Sequence, residues 1–206
     1  PEAERLEMGI AGMGNMSHGT GKTMVESIST GTRVRRGEKI VALGKTPRRT
    51  MDYGKGESKS IAVGWGDVST AYHSTGIPDI TIYFEASKDM ERMAGLGPAA
   101  RWVMGTGPVQ RFLKKQIERM PEGPTDEQRA ASFTTLVGEA TDSAGNVVRS
   151  RLETPEGYTL TAETGLEIAQ RAAAGNVKIG FQTPSNAYGA DLITEFDGVR
   201  REDLNA

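Results

Sequence analysis

The sequence predicts an α+β domain: a largely antiparallel or mixed β-sheet with helices packed against it, and no Rossmann nucleotide-binding fold. Three observations carry this. Apolar and polar residues alternate in paired runs separated by short turn-forming segments, as in hairpins. Helical periodicity falls between groups of these runs, whereas a doubly wound parallel sheet needs strand and helix in steady alternation. The Gly-rich turn that follows the first strand lacks the spacing a dinucleotide requires.

Residues 5–11 read as a strand ended by Gly12 and Gly14. Ser17 or Thr20 is placed to cap a helix running to about Thr30, with Met24, Val25 and Ile28 on one face and Gly31 as its stop. Arg33–Arg36 and Lys39–Leu43, split by Gly37, predict a hairpin. Arg49–Tyr53 and Ser58–Val63 predict another, turning at Gly54-Lys55-Gly56. Asp67 is expected to cap a short helix that stops at Gly76, ahead of Pro78. The next strand sets Ile80, Ile82, Phe84 and Ala86 on one face and Thr81, Tyr83 and Glu85 on the other.

Residues 88–120 read as helix in pieces. Pro98 starts one piece, Gly105-Thr106-Gly107-Pro108 breaks it, and the next carries Val109, Phe112, Leu113, Ile117 and Met120 on one stripe. After the Pro121–Pro124 loop, Phe133–Thr141 and Val147–Thr154 form the strongest predicted hairpin, turning at residues 142–146. A helix from about Thr159 to Ala174 bears a stripe of Ala162, Leu166, Ala169 and Ala173. Those side chains are small, so the helix is expected to lie close against a partner. Leu192–Phe196 reads as a last strand. The chain divides at about residue 156, into an α+β substrate or dimerisation domain (1–156) and a C-terminal helix and tail (157–206).

Composition narrows the functional classes. Twenty-five basic against 27 acidic residues leave a net charge of −2, so neither nucleic acid nor an anionic membrane surface is indicated as a partner. There is no cysteine, which excludes disulfides, thiolate metal sites and a Cys nucleophile, and fits a reducing, cytoplasmic setting. No apolar run approaches the ~20 residues of a membrane span. The chain opens Pro1-Glu2-Ala3-Glu4 directly ahead of a strand, the expectation being a cut through a longer protein.

Two segments invite a chemical reading. Gly12 to Thr23 is Gly-rich and ends in Gly21-Lys22-Thr23, but the Gly a phosphate loop needs five residues before Gly21 is Met16. Gly12 and Gly14 have the first spacing of a dinucleotide fingerprint, yet its third Gly is Ser17. No cofactor-binding residue is therefore assigned. A helix N-terminus still attracts anions, which makes Ser17, Gly19 and Thr20 candidate substrate contacts. The second segment, Trp65 to Pro78, holds Asp67, Tyr72 and His73 as candidate catalytic groups and Ser74 and Thr75 as candidate substrate contacts. A histidine moves protons near neutral pH and the hydroxyls orient a carbonyl or carboxylate. Capping by Asp67 and plain packing of Tyr72 and His73 are the structural alternatives. No Gly-x-Ser-x-Gly elbow surrounds Ser17, and His18 and His73 lack metal-ligand spacing.

Four landmarks in order then resemble the later half of bacterial saccharopine dehydrogenase-like, NAD(P)-binding proteins. They are Met16–Thr20 leading into Thr23–Glu26, Trp65–Pro78, Thr154–Thr161 and Gly180–Pro184. The resemblance spans nearly the whole chain. It implies an oxidoreductase in which an N-terminal Rossmann domain, not contained in this sequence, holds NAD(P). The present chain would supply substrate positioning and a homodimer contact. A purely structural, dimer-forming role without chemistry is the alternative.

Overall fold

The computed structural model describes residues 2–204. Its strands are β1 (Ala3–Ala11), β2 (Thr32–Arg36), β3 (Lys39–Leu43), β4 (Arg48–Asp52), β5 (Glu57–Val63), β6 (Asp79–Glu85), β7 (Phe133–Asp142), β8 (Val147–Pro155) and β9 (Arg200–Asp203). Among the described residues they form one mixed sheet in the order β3-β2-β6-β1-β7-β8-β9, with β5 also on β6 and β4 on β5. The β1/β6 pair is parallel, from Arg5↔Asp79 to Ile10↔Phe84, and the other pairs are antiparallel. The fold is therefore α+β.

Strand β6 is the branch point. Its start meets β2 through the single pair Arg35↔Ile80, and its end meets β5 from Ile82 to Glu85. Side chains do most of the work at the first of these joints. The Arg36 guanidinium donates to the Ile80 carbonyl (3.4 Å) and to Thr81 Oγ1 (2.8 Å). Arg35 lies stacked on the Tyr72 ring and donates to the Val68 carbonyl.

The predicted alternation in β6 sorts the two faces. Ile80, Ile82 and Phe84 join Ile10, Val68 and Ile77 in the main core, with Leu6, Met8 and Tyr72 packed around them. Helix α2 (Asp67–Thr75) covers this face. On the opposite face Tyr83 joins Ala11, Met51, Tyr53, Ala62 and Val137. The β4/β5 hairpin folds over that face, and its turn lies against β8: a methyl on Gly54 would meet the Arg151 guanidinium at 2.0 Å. Under the hairpin, Arg49 bridges Glu7 and Glu139, each at 2.8 Å, and Glu139 also takes Arg149 at 3.0 Å.

Helices α3 (Lys88–Ala94), α4 (Pro98–Met104), α5 (Gly107–Ile117) and α6 (Asp126–Ala131) form an excursion between β6 and β7. Helix α5 packs on α1 (His18–Ser27), where Gly21 admits Ile117. Helix α7 (Gly157–Ala173) follows β8 and has no buried residue. Ala162, Leu166, Ala169 and Ala173, expected to face a partner, are all exposed. The chain then passes α8 (Pro184–Tyr188) and returns to the sheet through β9 beside β8.

The structure corrects three sequence expectations. Residues 192–195 are a 3₁₀ turn, not a strand, and the last strand is Arg200–Asp203, where charged residues gave no alternation signal. Asp67 is not the cap of α2: Gly66 holds that position and Asp67 is the first helical residue. The first helix ends at Ser27, with a 3₁₀ turn carrying the chain on to Thr30.

Candidate functional site

Strand β1 leaves the sheet at Ala11 into Gly12, which has φ 77°. A Cβ there would sit 2.4 Å from the Phe133 carbonyl oxygen, so only glycine passes β7 this closely. The chain reaches Ser17, whose extended backbone and side chain cap α1 by accepting from the Thr20 amide at 3.3 Å. From the other side, β8 ends at Pro155 opposite Phe133 and enters α7. Glu156, 5% exposed, caps that helix by accepting from the amides of Tyr158 (2.9 Å) and Thr159 (3.2 Å).

This places the Tyr158 hydroxyl at the N-terminus of α1. It accepts from the Ser17 amide at 2.7 Å and lies 3.1 Å from Thr20 Oγ1, which is itself 3.2 Å from Ser17 Oγ. Partial burial pushes the Tyr158 phenol up, but the bonds from Ser17 and Thr20 together outweigh it, and the net shift is downward.

A cavity of about 270 Å³ lies at the C-terminal ends of β1 and β6, where the chain leaves the sheet at Gly12. Gly12, Tyr53, Lys55, Ser58, Glu85 and Thr135 line it. The Lys55 ammonium stands 4.5 Å over the Phe133 ring. Burial raises the Tyr53 phenol, against the lowering effect of its 2.8 Å bond to Ser60.

The remaining candidates lie elsewhere. Helix α2 ends at Thr75, just before Asp79 pairs with Arg5, so His73, Ser74 and Thr75 sit at the opposite end of the central strands. The run from Arg5 to Ile10 separates the two ends by about 17 Å at ~3.3 Å per residue. There the exposed His73 ring packs on Phe181 at 4.9 Å, and its carbonyl accepts from Asn186 Nδ2. Ser74 Oγ meets Thr183 Oγ1 at 2.8 Å and Ser185 Oγ at 3.0 Å, while Thr75 Oγ1 donates to the Ala71 carbonyl. These contacts dock the segment around α8 onto α2. Tyr72 packs under Arg35. Asp67 begins the helix, and burial pushes its carboxyl up against the lowering effect of a backbone bond.

Ser17, Gly19 and Thr20 thus share one end of the sheet with Tyr158 and the cavity, and the Asp67–Thr75 group is not brought to them. Sequence reasoning missed Tyr158, Tyr53, Lys55 and Glu85 as site residues. Tyr158 lay within the Thr154–Thr161 landmark, and that was the available signal.

At the α1 N-terminus the Ser17 amide is taken by Tyr158, the His18 amide by the Glu122 carbonyl and the Thr20 amide by Ser17 Oγ, so an anion drawn there would compete with the protein's own bonds. Among the described residues, no group of three or more histidine or carboxylate side chains is placed to hold a metal ion, and no helix is long and apolar enough to cross a membrane. Comparison of the chain with protein-family models and with curated proteins gave no match.

Proposed function

We propose that this chain is the substrate-side part of a saccharopine dehydrogenase-like oxidoreductase, and that NAD(P) belongs to the protein's own N-terminal Rossmann domain, not contained in this sequence. The observation that carries the reading is that the Ser17, Thr20 and Tyr158 hydroxyls and the polar cavity lined by Gly12 and Lys55 lie at the same end of the sheet, where β1 and β6 finish. The nicotinamide would supply the hydride chemistry. This chain would bind and orient the substrate, with Lys55 and the hydroxyls of Ser17 and Thr20 as its polar contacts. The exposed stripe on α7 supports the second half of the reading, a surface built to be covered by a domain or subunit.

The test uses the two-part enzyme. Thr20→Val and Lys55→Ala are expected to lower turnover tenfold or more (about 1.4 kcal/mol or more in activation free energy) in a protein that still folds. Were His73→Ala and Asp67→Asn the damaging changes instead, the chemistry would lie at the opposite end of the sheet. Turnover unaffected by all four favours a dimer-forming domain without chemistry, for which the uncovered α7 speaks. For this chain alone, NADPH fluorescence titration is expected to show no binding, and micromolar affinity overturns the proposal.

A further inference from the structure

We propose that the free edge of β3, with the groove at its end, docks an extended acidic segment of another protein, which adds to the sheet as a further strand. No strand lies beyond β3 among the described residues. It returns from β2 through Gly37 and Glu38, both at positive φ, with Arg36 opposite Lys39 as the closing pair. In a two-residue hairpin the closing pair is hydrogen-bonded. Lys39, Val41 and Leu43 therefore turn their backbone groups to β2, and Ile40 and Ala42 turn theirs outward. The positions flanking this stretch are already bonded: the Glu38 amide donates to the Pro78 carbonyl, and the Gly44 carbonyl accepts from Arg101. The N–H and C=O groups of Ile40 and Ala42 are what the edge offers a partner.

Side chains decide the partner. Edge strands are ordinarily blunted by charge, and β4, with Arg48, Arg49 and Asp52, and β9, from Arg200 to Asp203, follow that rule. After Lys39, β3 instead reads Ile40-Val41-Ala42-Leu43, and Ile40 is 47% exposed. At Ala42, Leu43 and Gly44 the edge meets an open groove of about 560 Å³, lined also by Pro98, Arg101 and Trp102 of α4. Trp102 is 74% exposed. A strand added at Ile40 and Ala42 continues into this groove, which receives an apolar side chain.

Charge fixes the rest. Arg33, opposite Ala42 on β2, and Lys39 and Lys45 are in no ion pair among the described residues, and Arg101 bonds only a carbonyl. The acids nearby are Glu38 and Asp79 at the turn, and Asp79 accepts from the Gly37 amide. The chain carries a net charge of −2, so this cationic rim is local. Unpaired cations beside an apolar groove and an open edge match a carboxylate-bearing, partly apolar extended segment. A second copy fits less well, because pairing β3 with itself would bring two cationic edges together. The groove shares no lining residue with the cavity at Gly12 and Lys55, and the inference does not depend on the proposed function.

The experiment is fluorescence anisotropy of a short labelled peptide, glutamate alternating with valine and phenylalanine at both ends, titrated with this chain. Saturable binding is expected, with a blue shift in Trp102 emission; Trp65 is already packed on Phe84. A peptide with the same side chains but N-methylated amides should bind roughly tenfold or more weakly, the hydrogen bonds to Ile40 and Ala42 being lost. Ala42→Pro removes an outward donor where an edge strand tolerates proline, and should weaken binding likewise. Lys39→Glu combined with Lys45→Glu should weaken it too, and should improve binding of a peptide with lysine in place of glutamate. The methylated peptide decides the matter even if the proline variant fails to fold. No saturable binding, equal binding of the methylated peptide, or equal binding of the lysine peptide by the wild type overturns the proposal. So does dimerisation in sedimentation that Ala42→Pro abolishes, which would give the edge to a second copy.

Discussion

Adding a single methyl group at Gly12 would press it against the Phe133 carbonyl, in a backbone conformation that L-residues avoid. Gly12→Ala is expected to lower unfolding free energy by about 2 kcal/mol or more in denaturant titration. Glu156→Ala removes a buried cap and should cost about 1–2 kcal/mol by the same measurement. Tyr83 gives a pH signature. Burial first, and then the adjoining Glu7 carboxylate, holds the folded-state phenol at about 12 against an ordinary 10. The folded state therefore keeps a proton that the unfolded chain has already released. The stability this confers is fully present below about pH 10 and is lost as pH rises toward about 12, on the order of 2 kcal/mol. Tyr83→Phe should flatten that alkaline decline; a decline of the same size in the variant would refute the assignment. At this scale the sequence was a partial guide. Ser17 and Thr20 were singled out from a local capping pattern, but Tyr158 meets Thr20 across 138 residues, and no local pattern encodes so distant a contact.

Hairpins were the most legible elements, because turn chemistry is local: Gly37, Gly54, Gly56 and Gly145 all adopt positive φ where the strands reverse. Elements whose character comes from tertiary contact were not legible. Leu192-Ile193-Thr194 has the apolar and β-branched composition of a short strand, yet Leu192 is buried in a 3₁₀ turn, and α6 is too short for periodicity to register. Helix α7 was legible as a helix, but the close partner expected for its small-residue stripe is not supplied by this chain. With no buried residue, α7 is tied to the rest of the chain chiefly at its two ends, by Tyr158 to Ser17 and Thr20 and by Arg171 to Glu195, and its middle is held by the helix's own bonds. Hydrogen exchange should therefore find the α7 amides after its first turn the least protected of the longer helices, and those of β1 and β6 the most. Equal protection in α7 and β6 in the isolated chain would show that the stripe is covered in solution.

For the molecule as a whole, fold class followed from element order, whereas the branching of the sheet at β6 did not, since one strand sharing its edge between two others leaves no mark in periodicity. The uncovered apolar surface has a bulk consequence. Leu166 is 61%, Phe181 70% and Ile179 100% exposed, more than a folded chain without a partner ordinarily shows together. The folded chain is expected to bind a hydrophobic dye or to self-associate in sedimentation, and Leu166→Asp should diminish whichever occurs.

The position of β1 carries a consequence for biosynthesis. This strand lies at the middle of the sheet but is made before both of its neighbours, β6 and β7. At 5–20 residues per second, roughly ten seconds pass between the appearance of Leu6 and that of the last strand to flank it. Helix α2 and β6 arrive first to cover Leu6, Met8 and Ile10, but until β7 follows the second edge of β1 stays unpaired, and the nascent chain needs that edge shielded, by a chaperone or by polypeptide already folded beside it.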